Sequence, residues 1–165
     1  MATGITHDRI ALASLPAGWL LSDAVFHASV VFSLALMLGL WLGGLYLSPD
    51  LDTPSRPYFR WGLLRFCWKP YQWMVRHRSN LSHGWILAPF IRLLYAGCCF
   101  ILLVKGLFSF SLPYEYLKLE STCIAFVSNH GPLILSFILG IWLSHLLHVT
   151  SDHLSSRLKR ICFKA

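Results

Sequence analysis

The sequence predicts an all-α protein: an integral membrane bundle of about four helices, with a polar interfacial loop region and a short C-terminal helix. Three observations carry that expectation. The 165 residues are 56 % hydrophobic but only 13 % charged, about half the charged share of soluble domains. Mean hydropathy is +0.58, and a small soluble fold of that composition would expose large apolar patches. Long apolar runs alternate with polar breaks, at lengths that suit a hydrocarbon layer of ~30 Å crossed at ~1.5 Å per residue.

A single domain, 1–165, is expected, with helices at about 6–21, 24–47, 85–112 and 122–149. The first, "THDRIALASLPAGWLL", is short, and Pro16 and Gly18 are expected to kink it. The second, "AVFHASVVFSLALMLGLWLGGLYL", is the clearest span, with His27 as its one ionisable group; Ser22-Asp23 reads as its N-cap and Ser48-Pro49 as its stop. Residues 48–84 form a basic, aromatic loop whose four prolines argue against one long helix. Its interleaved Arg, Trp and Tyr suit a headgroup interface. The third span, 85–112, contains Arg92 and Lys105, which are expected to snorkel. A polar turn around 113–118 follows. The last span begins near Thr122, or near Pro132 as a first-turn proline after "NHGP", and ends at about His148. The basic tail "SSRLKRICFKA" reads as a short interfacial helix.

The formal charge is +7, from 14 Lys+Arg against 7 Asp+Glu. The basic residues cluster beside apolar spans, which favours cytoplasmic flanks over a specific nucleic-acid partner. The five cysteines form no CxxC pair and are odd in number, so no disulfide framework is expected. The N-terminus makes a poor signal peptide, and no cleavage is expected.

An up-down-up-down arrangement of four spans would gather most polar groups at one end. That end would hold His7, Asp8, Asp50, Asp52, His77, His83, His148 and Asp152, with 11 of the 14 basic residues. Asp23, Glu115, Lys118 and Glu120 would lie opposite. The positive-inside bias puts the rich end in the cytoplasm.

Four short motifs supply the chemistry. "HVTSD" sets His148 and Asp152 four apart on one helical face, with His145 one turn earlier; imidazole and carboxylate there could hold a divalent ion, or could simply end a helix. In "SPDLD", Asp50 and Asp52 would face the same way on an extended segment and reach one ion, or one Asp could bridge two; the alternative is an ordinary Pro-Asp turn. "HRSNLSHG" could fold His77 and His83 onto one centre, or leave two exposed histidines. "THDR" brings His7 and Asp8, the latter also a plausible helix cap. Carboxylates near an apolar region are costly unless paired or metal-bound, and four segments delivering them to one end point jointly to a metal site.

"THDRI", "SPDLDT", "RWGLLRFCWKPYQWMVRHRSNLSHG" and "HVTSD" resemble, in the same order over most of the chain, a cyanobacterial family of metal-binding membrane proteins without assigned function. More distantly they resemble the YdjM-like membrane-bound metal-dependent hydrolases, and through them the zinc-dependent phospholipase C and nuclease superfamily. That resemblance implies an all-helical fold and a multinuclear zinc site. By motif, its ligands would be His7, Asp50 or Asp52, His77, His83, His148 and Asp152. Those secreted enzymes carry two late HxxxD elements and this chain carries one, since His130 has no Asp four residues on. That departure argues against a full three-metal site.

The leading expectation is therefore a divalent-metal site, zinc first and manganese second, hydrolysing a phosphate ester at the cytoplasmic membrane face. A phospholipid or a small phosphoester would be the substrate. Asp8 or Asp52 would be the general base, and Arg56, Arg76 and Arg78 would hold the phosphate. The alternative is a non-catalytic ion that staples helix ends or is sensed. A transporter or proton relay fares worst, because His27, Arg92 and Lys105 are too few to build a pathway at depth.

Overall fold

The computed structural model describes residues 3–26, 29–109 and 113–162, and all regular structure among them is helical. His27 lies outside the described residues, as do the side chains of Glu115 and Lys118. The long helices are α1 (Gly4–Phe26), α2 (Val30–Leu45), α6 (Leu87–Ser109), α7 (Pro113–Asn129) and α8 (Gly131–Cys162). Between α2 and α6 run a 3₁₀ turn (Pro49–Asp52), α3 (Arg56–Arg60), a second 3₁₀ stretch (Gly62–Trp68), α4 (Lys69–Met74) and α5 (Asn80–His83). Three helical segments are long and apolar enough to cross a membrane: Val30–Asp52, Leu87–Leu107 and Gly131–Cys162.

Several boundaries differ from those the sequence suggests. Helix α1 is continuous for 23 residues with Pro16 inside it. Ser22, expected to cap α2, instead lies within α1, where its hydroxyl meets that of Ser33 in α2 at 2.8 Å, both side chains buried. Helix α2 starts after Ser29, whose extended backbone (φ −61°, ψ 153°) marks the true N-terminal boundary. The expected turn at 113–118 is the start of α7, and Pro132 occupies the first turn of a separate α8. Helix α8 runs unbroken for 32 residues, so "HVTSD" lies inside it and the basic tail continues it rather than forming a separate helix.

Helices α1, α2 and α8 pack together. The buried positions of α8, Gly140, Ile141, Ser144, His145, His148 and Val149, recur at helical spacing and make one face that passes from apolar to imidazole without a break. Gly39 and Gly140 let α2 and α8 touch backbone to backbone: a Cβ on Gly39 would meet the Phe137 carbonyl oxygen, and one on Gly140 the Leu36 carbonyl oxygen. Gly140→Val is expected to destabilise the protein by about 1–3 kcal/mol or more, since the neighbour is backbone and cannot rotate away; the thermal unfolding midpoint in detergent measures it. Helix α6 is engaged differently. Its buried residues, Ala88, Pro89 and Arg92, all lie in its first two turns.

Residues 48–84 are more than an interfacial loop. Pro49, Pro57 and Pro70 each sit in the first turn of a short helical piece, where the missing N–H costs nothing. Leu51, Tyr58, Trp68, Tyr71 and Val75 form a buried cluster, with Trp61, Ile91 and Tyr95 packed against it. Trp61 Nε1 donates to the Tyr46 carbonyl at 3.0 Å, Arg60 Nη1 to the Leu45 carbonyl at 2.9 Å and Gln72 Nε2 to the Leu51 carbonyl at 3.0 Å. These bonds satisfy the C-terminal carbonyls of α2 and anchor the 3₁₀ turn that carries Asp50 and Asp52.

Candidate metal centre

Four parts of the chain converge at this end of the molecule. The first turns of α1 bring His7, the 3₁₀ turn brings Asp50 and Asp52, the stretch through α5 brings His77 and His83, and the second half of α8 brings His148 and Asp152. Three trios each offer ligand atoms within 4.8 Å of one another: His7, Asp50 and His148; Asp52, His77 and His83; and His83, His148 and Asp152. All seven residues named from the sequence as metal ligands therefore fall into one cluster. Asp8 does not join it.

The contacts are those of imidazoles facing carboxylates. His7 Nε2 is 3.3 Å from Asp152 Oδ1, and His148 Nε2 is 3.6 Å from Asp50 Oδ1 and 3.9 Å from Asp152 Oδ2. His77 Nδ1 lies 2.9 Å from Asp52 Oδ1, and His83 Nδ1 3.8 Å from Asp52 Oδ2. The His7 and His148 rings stack at 3.7 Å between centroids. Asp52 Oδ2, His83 Nε2 and His148 Nε2 are buried without a hydrogen-bond partner. Unsatisfied atoms of this kind cost about 1–3 kcal/mol each when buried. Three of them in one cluster of nitrogen and oxygen donors fit a divalent ion, which would take up those lone pairs.

Serine hydroxyls meet three of the rings, Ser82 Oγ standing 2.9 Å from His83 Nδ1. Ser151 Oγ donates to the His148 carbonyl at 2.7 Å, so its oxygen can accept from His7 Nδ1–H at 3.2 Å. That assigns the His7 proton to Nδ1 and leaves Nε2 as a lone pair aimed into the cluster. Ser48 Oγ stands 3.3 Å from His148 Nδ1 and pairs with that nitrogen. Burial, partly offset by Asp52, pushes the His83 imidazole down to about 4, so near neutral pH this ring is uncharged, the form that ligates metal.

Asp50 and Asp52 do not share one direction. An extended segment would aim both at one ion, but the chain here is a 3₁₀ turn. At 3.0 residues per turn, positions two apart point about 240° apart. Asp50 accordingly faces His7 and His148, with His83 Nε2 4.0 Å away, and Asp52 faces His77 and the other nitrogen of His83.

The remaining predicted residues are placed as follows. The Asp8 carboxylate is bound by Arg60 and lies 3.6 Å from Arg56 Nε. It is thus held by guanidinium groups rather than poised as a base, and Arg56 is engaged with it. Arg76 is exposed and lines no cleft described here. Arg78 takes a left-handed backbone (φ 60°), the one non-glycine residue to do so among those described. It lines a cleft of ≈ 370 Å³ that also includes His83, Asp152, Ser156 and Arg160. Arg160 was hidden in the basic tail, and only the continuity of α8 brings it alongside.

Arg92 is placed otherwise than its position in an apolar run suggests. It does not snorkel but is 1 % exposed. Arg92 Nη2 donates to His145 Nδ1 at 2.6 Å, and His145 Nε2–H donates to the Gly84 carbonyl at 2.9 Å. This relay ties α6 and α8 to the residue following His83. His145→Phe would keep a ring but break both bonds, so metal affinity is expected to fall about 10–100-fold with every ligand still present; isothermal titration reads it. The single variant also strands the Arg92 charge. The Arg92→Met/His145→Phe double variant should therefore unfold at higher temperature than His145→Phe alone.

The sequence profile of a family described as "Uncharacterized metal-binding protein (DUF2227)" matches residues 2–162. A protein of Aquifex aeolicus (strain VF5), described as an uncharacterized protein, is 35 % identical over 138 residues, covering 74 % of this chain and 91 % of that protein. No solved structure matches the chain.

Proposed function

The chain belongs to this family of uncharacterized metal-binding proteins, and on that premise we propose a membrane-embedded, metal-dependent hydrolase acting on a phosphate ester at the cytoplasmic face. The observation that carries the reading is the set of buried, unpartnered donor atoms on Asp52, His83 and His148 within one cluster of imidazoles and carboxylates. The proposed ligands are His7, Asp50, Asp52, His77, His83, His148 and Asp152. Zinc suits their nitrogen and oxygen donors best, with manganese second. The likeness of the motifs to the YdjM-like hydrolases and the phospholipase C superfamily supports hydrolysis, and the three apolar helices support the membrane setting.

A divalent ion here would polarise a phosphoryl oxygen and lower the pKa of water toward ~7. The chain's own contribution is positioning. Ser48 and Ser151 fix ring orientation, and the aromatic cluster under the 3₁₀ turn holds the two carboxylates. Arg78 and Arg160, in the cleft beside His83 and Asp152, are suited to bind the substrate phosphate. Of the two candidate bases, Asp8 is held by Arg60 and Arg56, and Asp52 is paired with His77 and placed among the ligands.

The test is hydrolysis of a phosphoester panel by detergent-purified protein loaded with zinc or manganese. Turnover should be abolished by chelator and by His148→Ala. Bound metal without turnover on any substrate would favour a second reading, an ion that staples the fold. That reading draws on the origin of the ligands in four separate segments.

A further inference from the structure

The geometry points to two metal ions of unequal character, an enclosed inner one and an outer one with an open coordination position. This rests on the metal-binding reading above and adds the number, assignment and exchange behaviour of the ions. The 3₁₀ turn makes the division. Because Asp50 and Asp52 diverge, each leads a separate trio, and the two trios share no residue: His7, Asp50 and His148 on one side, Asp52, His77 and His83 on the other. Each also contains a buried donor atom without a partner, His148 Nε2 in the first and Asp52 Oδ2 in the second; the third such atom, His83 Nε2, lies 4.0 Å from Asp50 Oδ1. One ion at either trio would leave the other's orphaned atoms unsatisfied.

The two sides differ in completeness. Asp152 stands beside the first trio, 3.3 Å from His7 Nε2 and 3.9 Å from His148 Nε2, and makes a fourth protein donor. His7 and His148 are only 7 % and 5 % exposed. Four protein donors with little solvent access are the mark of a structural ion. The second trio has three donors, and its His77 side chain is 39 % exposed. Three protein donors with an open fourth position are the mark of a site that takes water or substrate. The ≈ 370 Å³ cleft is lined by a member of each group, His83 and Asp152, so it is the exposure of His77 that sets the second position apart.

The overlapping trio of His83, His148 and Asp152 supplies the competing arrangement, one ion between the two sides. Metal content and chelator kinetics on zinc-loaded, detergent-purified protein separate the cases. Two zinc ions per chain are expected, one leaving rapidly to a chelator and one slowly. His77→Gln should reduce the content to one and remove the rapid phase, while His7→Ala should remove the slow phase. His77 is half-exposed, and an unchanged helical circular dichroism spectrum would certify that its variant is folded. A single ion per wild-type chain, or His77→Gln and His7→Ala each emptying the whole centre, overturns the two-ion assignment and leaves metal binding intact. No bound zinc in the wild type after loading overturns both.

Discussion

His148→Ala is expected to lower metal affinity by at least about 100-fold, more than the loss of any orienting partner. His148 is engaged in several ways at once. Its Nε2 is buried, lacks a hydrogen-bond partner, and lies between Asp50 and Asp152. Its ring stacks on His7, and its Nδ1 meets Ser48. It also belongs to two of the three ligand trios. Alanine removes the donor and leaves Asp50 and Asp152 with one fewer imidazole between them. Metal analysis of wild type and variant, purified in parallel and matched for helical content, reads the effect directly. Equal metal in both would remove His148 from the ligand set. The comparison should include Ser48→Ala, for which a loss of about 10–100-fold is expected, because the ligand stays while its ring loses a hydrogen-bonding partner.

What the sequence made legible was chemistry more than geometry. Imidazoles and carboxylates flanking apolar runs are costly without a partner, so their types alone argued for convergence, and all seven named residues do lie in one cluster. The helical class followed from composition and run length. Backbone details were not legible. "SPDLD" read as extended segment or turn does not reveal a 3₁₀ turn, yet that turn decides which carboxylate faces which histidines. Pro16 and Ser22-Asp23 carry breaking and capping propensities that the packing of α1 against α2 overrides. Arg92 in an apolar run has two physical solutions, snorkelling or burial against a partner, and its partner His145 is 53 residues away. A similar separation hid Arg60 from Asp8, 52 residues apart. Gly39 and Gly43, four apart in α2, went unread, though their spacing is one that close helix contact uses.

Removing the metal should cost the protein more than its chemistry. The ligands come from α1, the 3₁₀ turn, the 77–83 stretch and α8, so an ion there ties four separate segments together. Binding to the folded state alone adds stability of RT ln(1 + [L]/Kd), roughly 4 kcal/mol when free metal exceeds Kd a thousandfold. For a chain of this size that corresponds to a fall in Tm on the order of 10 °C when chelator is added. The fall should vanish in His148→Ala, which starts in the metal-poor state. Acid should expose the same centre from the other side. His83 titrates near 4 in the folded protein and near 6.5 when unfolded. Between those values the unfolded chain binds a proton that the folded one does not, so the chelated protein should lose stability as pH falls from about 6.5 toward about 4, with this contribution flat above that window. Thermal unfolding of the chelated protein across that range checks the sign. His83→Asn, which cannot take up the proton, should flatten the dependence in the same window; an unchanged slope would assign it to another group.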